Sequence, residues 1–182
     1  EAVVSRDLLD YGFAITVRNG ILRVAPARAL NIQTERFELT IHALFNEVDL
    51  SGGYEVAIDA NDAPGALALN VSGAASGSVS NLYGSDFEAR ISGAGMFTLY
   101  GAVDRASLHI SGAGSIEGAG LICNALEAKI SGAGDMVISV VDELEAKVSG
   151  IGSIEYYGTP VVTQSISGLG SVSQKSEHFP GA

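Results

Sequence analysis

A serine followed by Gly-x-Gly recurs through this chain, and those residue types can serve two kinds of chemistry. A serine hydroxyl beside a base is a nucleophile, and a glycine-rich loop that opens a helix cradles phosphate. Full copies stand at Ser92-Gly93-Ala94-Gly95, Ser111-Gly112-Ala113-Gly114, Ser131-Gly132-Ala133-Gly134, Ser149-Gly150-Ile151-Gly152 and Ser167-Gly168-Leu169-Gly170. Weaker copies precede them at Ser51-Gly52-Gly53 and Ser72-Gly73-Ala74-Ala75. Neither chemistry fits. A nucleophile occurs once, beside its base, whereas this serine recurs at spacings of 21, 20, 19, 20, 18 and 18 residues. No copy opens a helix pattern, and Gly-Lys-Ser/Thr follows none of them. The motif therefore reads as a structural corner.

Other candidates are thinner. Glycoside hydrolysis needs two carboxyls facing across a cleft, about 5–9.5 Å apart. The acidic clusters Asp142-Glu143-Glu145 and Asp59-Asn61-Asp62 supply acids but no opposed pair. His42, His109 and His178 fall on unrelated elements, so no metal site is expected. Asp135 after Gly134 has the look of a calcium-binding β-roll, but the equivalent positions are Met96, Ser115, Ser153 and Ser171. Cys123, the sole cysteine, lies in the apolar run Leu121-Ile122-Cys123 and reads as a small buried hydrophobe. Tyr100 and Tyr157, each eight residues after a corner serine, point outward by alternation and are the candidate binding residues. No catalytic residue and no cofactor is expected.

The elements that place these residues follow from period two. At five, three and one residues before the serine stand Phe87/Ala89/Ile91, Ala106/Leu108/Ile110, Leu126/Ala128/Ile130 and Leu144/Ala146/Val148. Leu67/Leu69/Val71 obeys the same rule, and Val162/Gln164/Ile166 breaks it only at Gln164. Five residues after the serine come Phe97, Ile116, Met136, Ile154 and Val172. Alternation on both sides of a glycine corner predicts strand, corner, strand and a variable return, which is one coil of a solenoid. Parallel strands stacked ~4.8 Å apart give about seven coils and a rod of roughly 30–35 Å. The fold expected is all-β: a parallel β-helix, right-handed because parallel crossovers favour that hand. Twelve of the 23 glycines sit one or three residues after a corner serine. Their expected uses are a positive φ at the bend and close approach of adjacent coils. The serine hydroxyl is expected to bond a backbone group at the bend or one coil away.

One domain, residues 1–182, is expected, with an N-terminal hairpin and cap (1–45), repeat coils (46–175) and a tail (176–182). Ile15 to Val24 around Asn19-Gly20 predicts a hairpin, and Leu39–Leu44 a further strand. Outward positions carry compensating ladders: Glu88, Ser107, Glu127, Glu145 and Thr163 beside Arg90, His109, Lys129, Lys147 and Ser165. The 182 residues are 47% hydrophobic, and the net charge is −11. That charge argues against nucleic acid, which calls for a basic face. No apolar run reaches the ~18 residues of a membrane helix. The chain opens at Glu1 without a leader-like segment, which fits cleavage of an exported precursor or a trimmed chain.

The repeated Leu-x-Ala-x-Ile/Val-Ser-Gly-x-Gly-x-Ile pattern resembles the auto-transporter adhesin family of head GIN domains. So do Gly152 to Pro160, Ser165 to Val172, Leu8-Leu9-Asp10-Tyr11 and Asn19 to Val24. Ala75, Ile151 and Leu169 depart from the corner pattern. The resemblance implies a right-handed β-helix, export to the periplasm or cell surface, and an adhesive role without catalytic residues. The function expected is a non-enzymatic interaction module binding a protein or carbohydrate surface ligand. The alternatives are a self-associating scaffold of bactofilin type, with homo-oligomers, and a glycan-degrading enzyme.

Overall fold

The computed structural model describes residues 13–18, 21–26, 46–61 and 65–176. Two compact units are present, residues 1–43 and 44–182. In the first, β1 (Phe13–Arg18) and β2 (Ile21–Pro26) pair antiparallel, Ile15 facing Val24 and Arg18 facing Ile21. That is the expected hairpin. Its Asn19-Gly20 turn, the strand expected over Leu39–Leu44, His42, Asp62, His178 and the tail beyond Ser176 lie outside the described residues.

The second unit is a β-solenoid of about seven turns, and its described residues include no helix. Its strands are β3 (Glu47–Leu50), β4 (Gly53–Asp59), β5 (Ala66–Val71), β6 (Ala74–Ile91), β7 (Ala94–Ile110), β8 (Ala113–Ile130), β9 (Ala133–Val148), β10 (Ile151–Tyr157), β11 (Val161–Ile166) and β12 (Leu169–Gln174). Every pairing is parallel, between a strand and its equivalent one coil away. Corner registers with corner: Ala94, Ala113, Ala133, Ile151 and Leu169 form one column.

The corner is held by a repeated backbone device. The carbonyl of the residue before each corner serine accepts two N–H groups from the next coil. Val71 accepts from Ser92 at 2.8 Å and Gly93 at 3.2 Å; Ile110 accepts from Ser131 at 2.8 Å and Gly132 at 3.3 Å. Two residues on, the carbonyl of each corner glycine accepts from the residue two after the next serine, as Gly93 does from Ala113 at 2.9 Å. This stacking brings successive glycines so close that a Cβ on Gly112 would overlap the Gly93 carbonyl oxygen, and one on Gly132 that of Gly112. Of the two uses expected of these glycines, close approach to the preceding coil holds from Gly73 to Gly170 except at Gly95, whose added Cβ would meet only the Ile91 and Phe97 side chains. Positive φ corrects to a single motif position, Gly152 at 149°. The serines also differ from expectation: only Ser72 and Ser92 turn Oγ to the carbonyl one coil back, at 3.5 and 3.2 Å.

The returns are strand rather than connecting segments. β6 to β9 each run 16–18 residues from one glycine corner to the next. Coils stacked in parallel offer every return a backbone partner, so its N–H and C=O groups stay in the ladder instead of turning to water. Differences in coil length are absorbed by register shifts at Val79/Leu82, Thr98/Tyr100, Gly118/Ile122 and Cys123/Ala125.

Inside, the predicted ladders form one core. Phe87, Phe97, Leu99, Leu108, Ile116, Ile130, Met136 and Ile138 are almost wholly buried. Ala75 is buried where a corner glycine was expected, and Gln164 is exposed on the last coil. Ser139 is the one buried polar side chain among the described residues, and its Oγ donates to the Ala119 carbonyl at 2.8 Å.

Replacing Gly112 or Gly132 by alanine is expected to cost about 3 kcal/mol or more, at the upper end of overpacking penalties because backbone must move. Gly53→Ala is the control, since its added Cβ meets nothing closer than the Ala74 carbonyl oxygen at 3.9 Å. Thermal unfolding by circular dichroism should lower the midpoint by at least ~6 °C for the first two and by under ~3 °C for the control. Equal shifts in all three would show that coil spacing does not select glycine.

Candidate functional site

The corner serines Ser51, Ser72, Ser92, Ser111, Ser131, Ser149 and Ser167 are all exposed. They line up along one edge of the solenoid beside the column Asn70, Arg90, His109, Lys129, Lys147 and Ser165. Column and serines together border an open groove of about 490 Å³. Ser107, His109 and Glu127 meet next to it, and the trio invites comparison with a hydrolytic triad. Ser107 Oγ lies 3.5 Å and Glu127 Oε2 3.6 Å from the same ring nitrogen, His109 Nε2. Ser107 donates directly to Glu127 at 3.2 Å. A triad needs the acid on the opposite ring nitrogen from the serine, orienting the base. Here the acid competes with the serine for one nitrogen, so the trio is a surface polar cluster.

The charged ladders compensate within each coil. Glu88 pairs with Arg90, Glu127 with Lys129 and Glu145 with Lys147, each two residues apart on one strand face. Asn70 Nδ2 bridges Glu47 at 3.1 Å and Asp49 at 2.8 Å. Lys129 first, with Ser107 and His109 behind it, holds the Glu127 carboxyl below its ordinary value. Arg105, 2.8 Å from Asp86, does the same there. A second open groove, of about 540 Å³, runs on the acidic side of this face past Asp86, Glu88, Glu127, Glu143 and Glu145. These acids stand on two neighbouring columns of one open face, Asp86 and Glu143 on the first and Glu88, Glu127 and Glu145 on the second, and the second column is already paired with Arg90, Lys129 and Lys147.

Asp135 accepts the backbone N–H of Ser153 at 2.9 Å and its Oγ–H at 2.6 Å, tying one coil to the next. Asp59 accepts from Asn81 Nδ2 at 2.9 Å and from the Asn61 N–H at 3.1 Å, and both bonds, Asn81 foremost, lower its pKa. Among the described residues no three His, Cys, Asp or Glu side chains converge on a metal position. Cys123 is buried as expected; its Sγ–H meets the Ser139 carbonyl at 3.4 Å, and burial pushes the thiol pKa up to about 12.

Tyr100 is 50% exposed, and its ring lies over Gly120 of the next coil, where any Cβ would strike it. Tyr157 is half-buried, with Lys175 Nζ 5.8 Å from its ring centre. The two are not neighbours, since two coils separate theirs. Tyr83, at 66% exposure, instead stands one coil from Tyr100 and pairs with Ala102. Alternation missed Tyr83: its odd spacing from Ser72 and from Ser92 places it inward by either count. The extra residue at the Val79/Leu82 shift turns Leu82 in and Tyr83 out, with Asn81 at φ 56°.

Two outcomes follow. Cys123 should resist thiol reagents in the native protein at pH 8 and react fully once denatured; fast native labelling would contradict a packed core there. Carboxyls held low stabilise the fold above their ordinary range, near pH 4, and that stability disappears as pH falls through the lowered values. The urea midpoint should therefore be flat above pH ~5 and fall below ~4, and the E127Q/D86N double variant should have a shallower acid limb. An unchanged limb would remove these two pairs from the acid response.

The family model described as "Putative auto-transporter adhesin, head GIN domain" matches residues 6–160. No curated protein matches the chain. Among solved structures, a "putative adhesin" from Bacteroides fragilis superposes with a TM-score of 0.80 at 22% identity, over 96% of this chain and 83% of that one. A "putative adhesin" from Parabacteroides distasonis gives 0.63 at 25% identity, over 96% and 82%. A "putative lipid binding protein" from the same species gives 0.68 at 19% identity, over 96% and 83%. With its corner repeat and parallel ladder in place, the chain belongs to the auto-transporter adhesin, head GIN domain family.

Proposed function

We propose that this chain is a non-catalytic adhesive module, exported to the bacterial envelope, that binds a protein or carbohydrate ligand on the outer faces of its solenoid. One observation carries the reading: unlike side chains are held outward at fixed coil spacing on a rigid ladder, while the interior is filled by aliphatic side chains. Such a surface recognises by area and register rather than by one enclosed pocket. Among the described residues the corner serines lack a triad, and Glu88, Glu127 and Glu145 stand on an open face already paired with cations, which weighs against the glycan-degrading alternative. Family membership and adhesin-named structural neighbours support the same direction. The lipid-binding name of one neighbour fits less well, because the ladders leave no room for an acyl chain along the axis.

The last coil favours a second reading, self-association. Val161 is 75% exposed, Leu169 77% and Ile166 43%, and β11 and β12 each pair with one strand only among the described residues. Such edges invite pairing with another chain.

A glycan and host-protein array, with light scattering on the same sample, tests both. Selective binding by a monomer is the expected result. Concentration-dependent polymers without any ligand would replace the adhesive reading with the scaffold one.

A further inference from the structure

The bulge that exposes Tyr83 builds a small surface of its own. Three outward columns cross it. The first is Tyr100 followed by Gly120; the second is Tyr83, Ala102 and Ile122; the third is Ser85, Asp104 and Asn124. Ala102 is the low point, with Tyr83 one coil before it in the same column and Tyr100 two residues before it on the same strand, its ring over Gly120. Strand geometry puts the Cα atoms of Tyr83 and Tyr100 roughly 8 Å apart. Neither ring is placed by core packing: Tyr83 is 66% and Tyr100 50% exposed. Tyr83 owes its position to Asn81, a non-glycine residue at φ 56° held by its bond to Asp59. Left-handed backbone is uncommon outside glycine, and asparagine is among the few residues that adopt it routinely. Here it turns an aromatic ring to solvent.

Along one side of the rings run hydrogen-bonding groups. Asp104 Oδ1 accepts from Asn124 Nδ2 at 3.3 Å, and Ser85 Oγ donates to the Gly65 carbonyl at 2.9 Å. The second Asp104 oxygen makes no hydrogen bond among the described residues. Aromatic faces carry negative charge density, and they attract the weakly positive C–H face of a sugar ring. Carboxylate and amide groups beside them suit sugar hydroxyls, which both donate and accept. Asp59, Asp86 and Asp104 surround the patch with Arg105 as the nearby cation, so a polyanion is disfavoured. Two rings, an alanine and an isoleucine also fall well short of the ~800 Å² that each partner contributes to a stable protein interface.

Resting on the adhesive reading, we propose that Tyr83, Ala102 and Tyr100 form a carbohydrate subsite. A neutral pyranose ring stacks over Ala102 between the two tyrosines, with Asp104 and Asn124 taking its hydroxyls. A glycan chain lying across the coils would present successive rings to this subsite.

The test titrates the intact chain with neutral hexasaccharides of α- and β-linked glucose, β-linked N-acetylglucosamine, β-linked mannose and β-linked galactose. Calorimetry reads binding; tyrosine fluorescence reports in parallel, since the chain has six tyrosines and no tryptophan. At least one sugar should bind, and Y83A and Y100A should each weaken it about tenfold or more, a loss of ~1.4 kcal/mol. Y157A should leave binding unchanged. A102R, which fills the floor and keeps both rings, should abolish binding at an unaltered melting temperature, so a folding defect in either tyrosine variant does not decide the matter. Sugar binding unaffected by Y83A, Y100A and A102R would overturn the subsite and leave the adhesive reading standing. Binding to proteins on the array with none to any hexasaccharide would do the same. Failure to bind any sugar or protein would remove both.

Discussion

Everything in this solenoid depends on how closely one corner sits upon the next. A single carbonyl before each serine takes two N–H groups from the coil above, and the following glycine carbonyl takes a third. For that to repeat, the glycine's hydrogen must point where a side chain would otherwise collide with backbone. The constraint is steric before it is conformational: Gly93, Gly112, Gly132, Gly150 and Gly168 share this crowding without a left-handed φ. Once the corners are stacked, register is fixed. Fixed register then places Ile91 over Ile110, Ile130 and Val148, so the core assembles as columns of like side chains.

Corner and return divide the labour. At the corner no residue can be added or lost, and the spacing there repeats coil after coil. Irregularity is pushed to the returns, where register shifts take up the difference in coil length. Each shift also resets which residues face out. The Val79/Leu82 shift buries Leu82 and exposes Tyr83; the shift between Gly118 and Ile122 accompanies the burial of Ser139, whose hydroxyl stays satisfied by Ala119. A bulge of this kind re-aims side chains without breaking the ladder on either side. In a fold whose flat faces are dictated by stacking, the returns are where individual residues can be displayed.

The sequence disclosed the fold because its two periods are independent and agree. Serine spacing gives the coil, and alternation before each serine gives the inward face; Phe87, Leu108 and Leu144 lie where that count puts them. Tyr100 was legible for the same reason: the extra residue at the Thr98/Tyr100 shift lies in β8, between Glu117 and Gly120, so the alternation of β7 runs unbroken from Ser92. Tyr83 was not: counted from Ser72 the bulge at Val79/Leu82 reverses parity, counted from Ser92 the bend at Ser85-Asp86 does (its equivalents Asp104 and Arg105 both face out), and nothing short of coordinates reveals Asn81 in left-handed geometry. The glycines were legible as corners but not for their cause, since a clash between coils is a contact about twenty residues away in the chain and leaves no local signature. Tyr157 shares the offset of Tyr100 yet differs in setting: Lys175 from the next coil lies over its ring.

Charge sets the remaining boundary on what these faces can bind. Identical charges repeated at ~4.8 Å would repel along the axis, and the Glu88–Arg90, Glu127–Lys129 and Glu145–Lys147 pairs cancel that repulsion within each coil. Exposed pairs of this kind add little to stability, about 0–1 kcal/mol each; their effect is to let charged columns coexist with tight stacking. The cost falls on binding. A ligand seeking those cations must displace carboxylates already paired with them, and the net charge of −11 opposes anionic partners at long range. Tyrosines on a rigid return carry no such competitor, and a ring already fixed over Gly120 loses little freedom when a partner arrives. Rigidity imposed by the corners is therefore what makes an exposed aromatic on this fold a better recognition element than its charged neighbours.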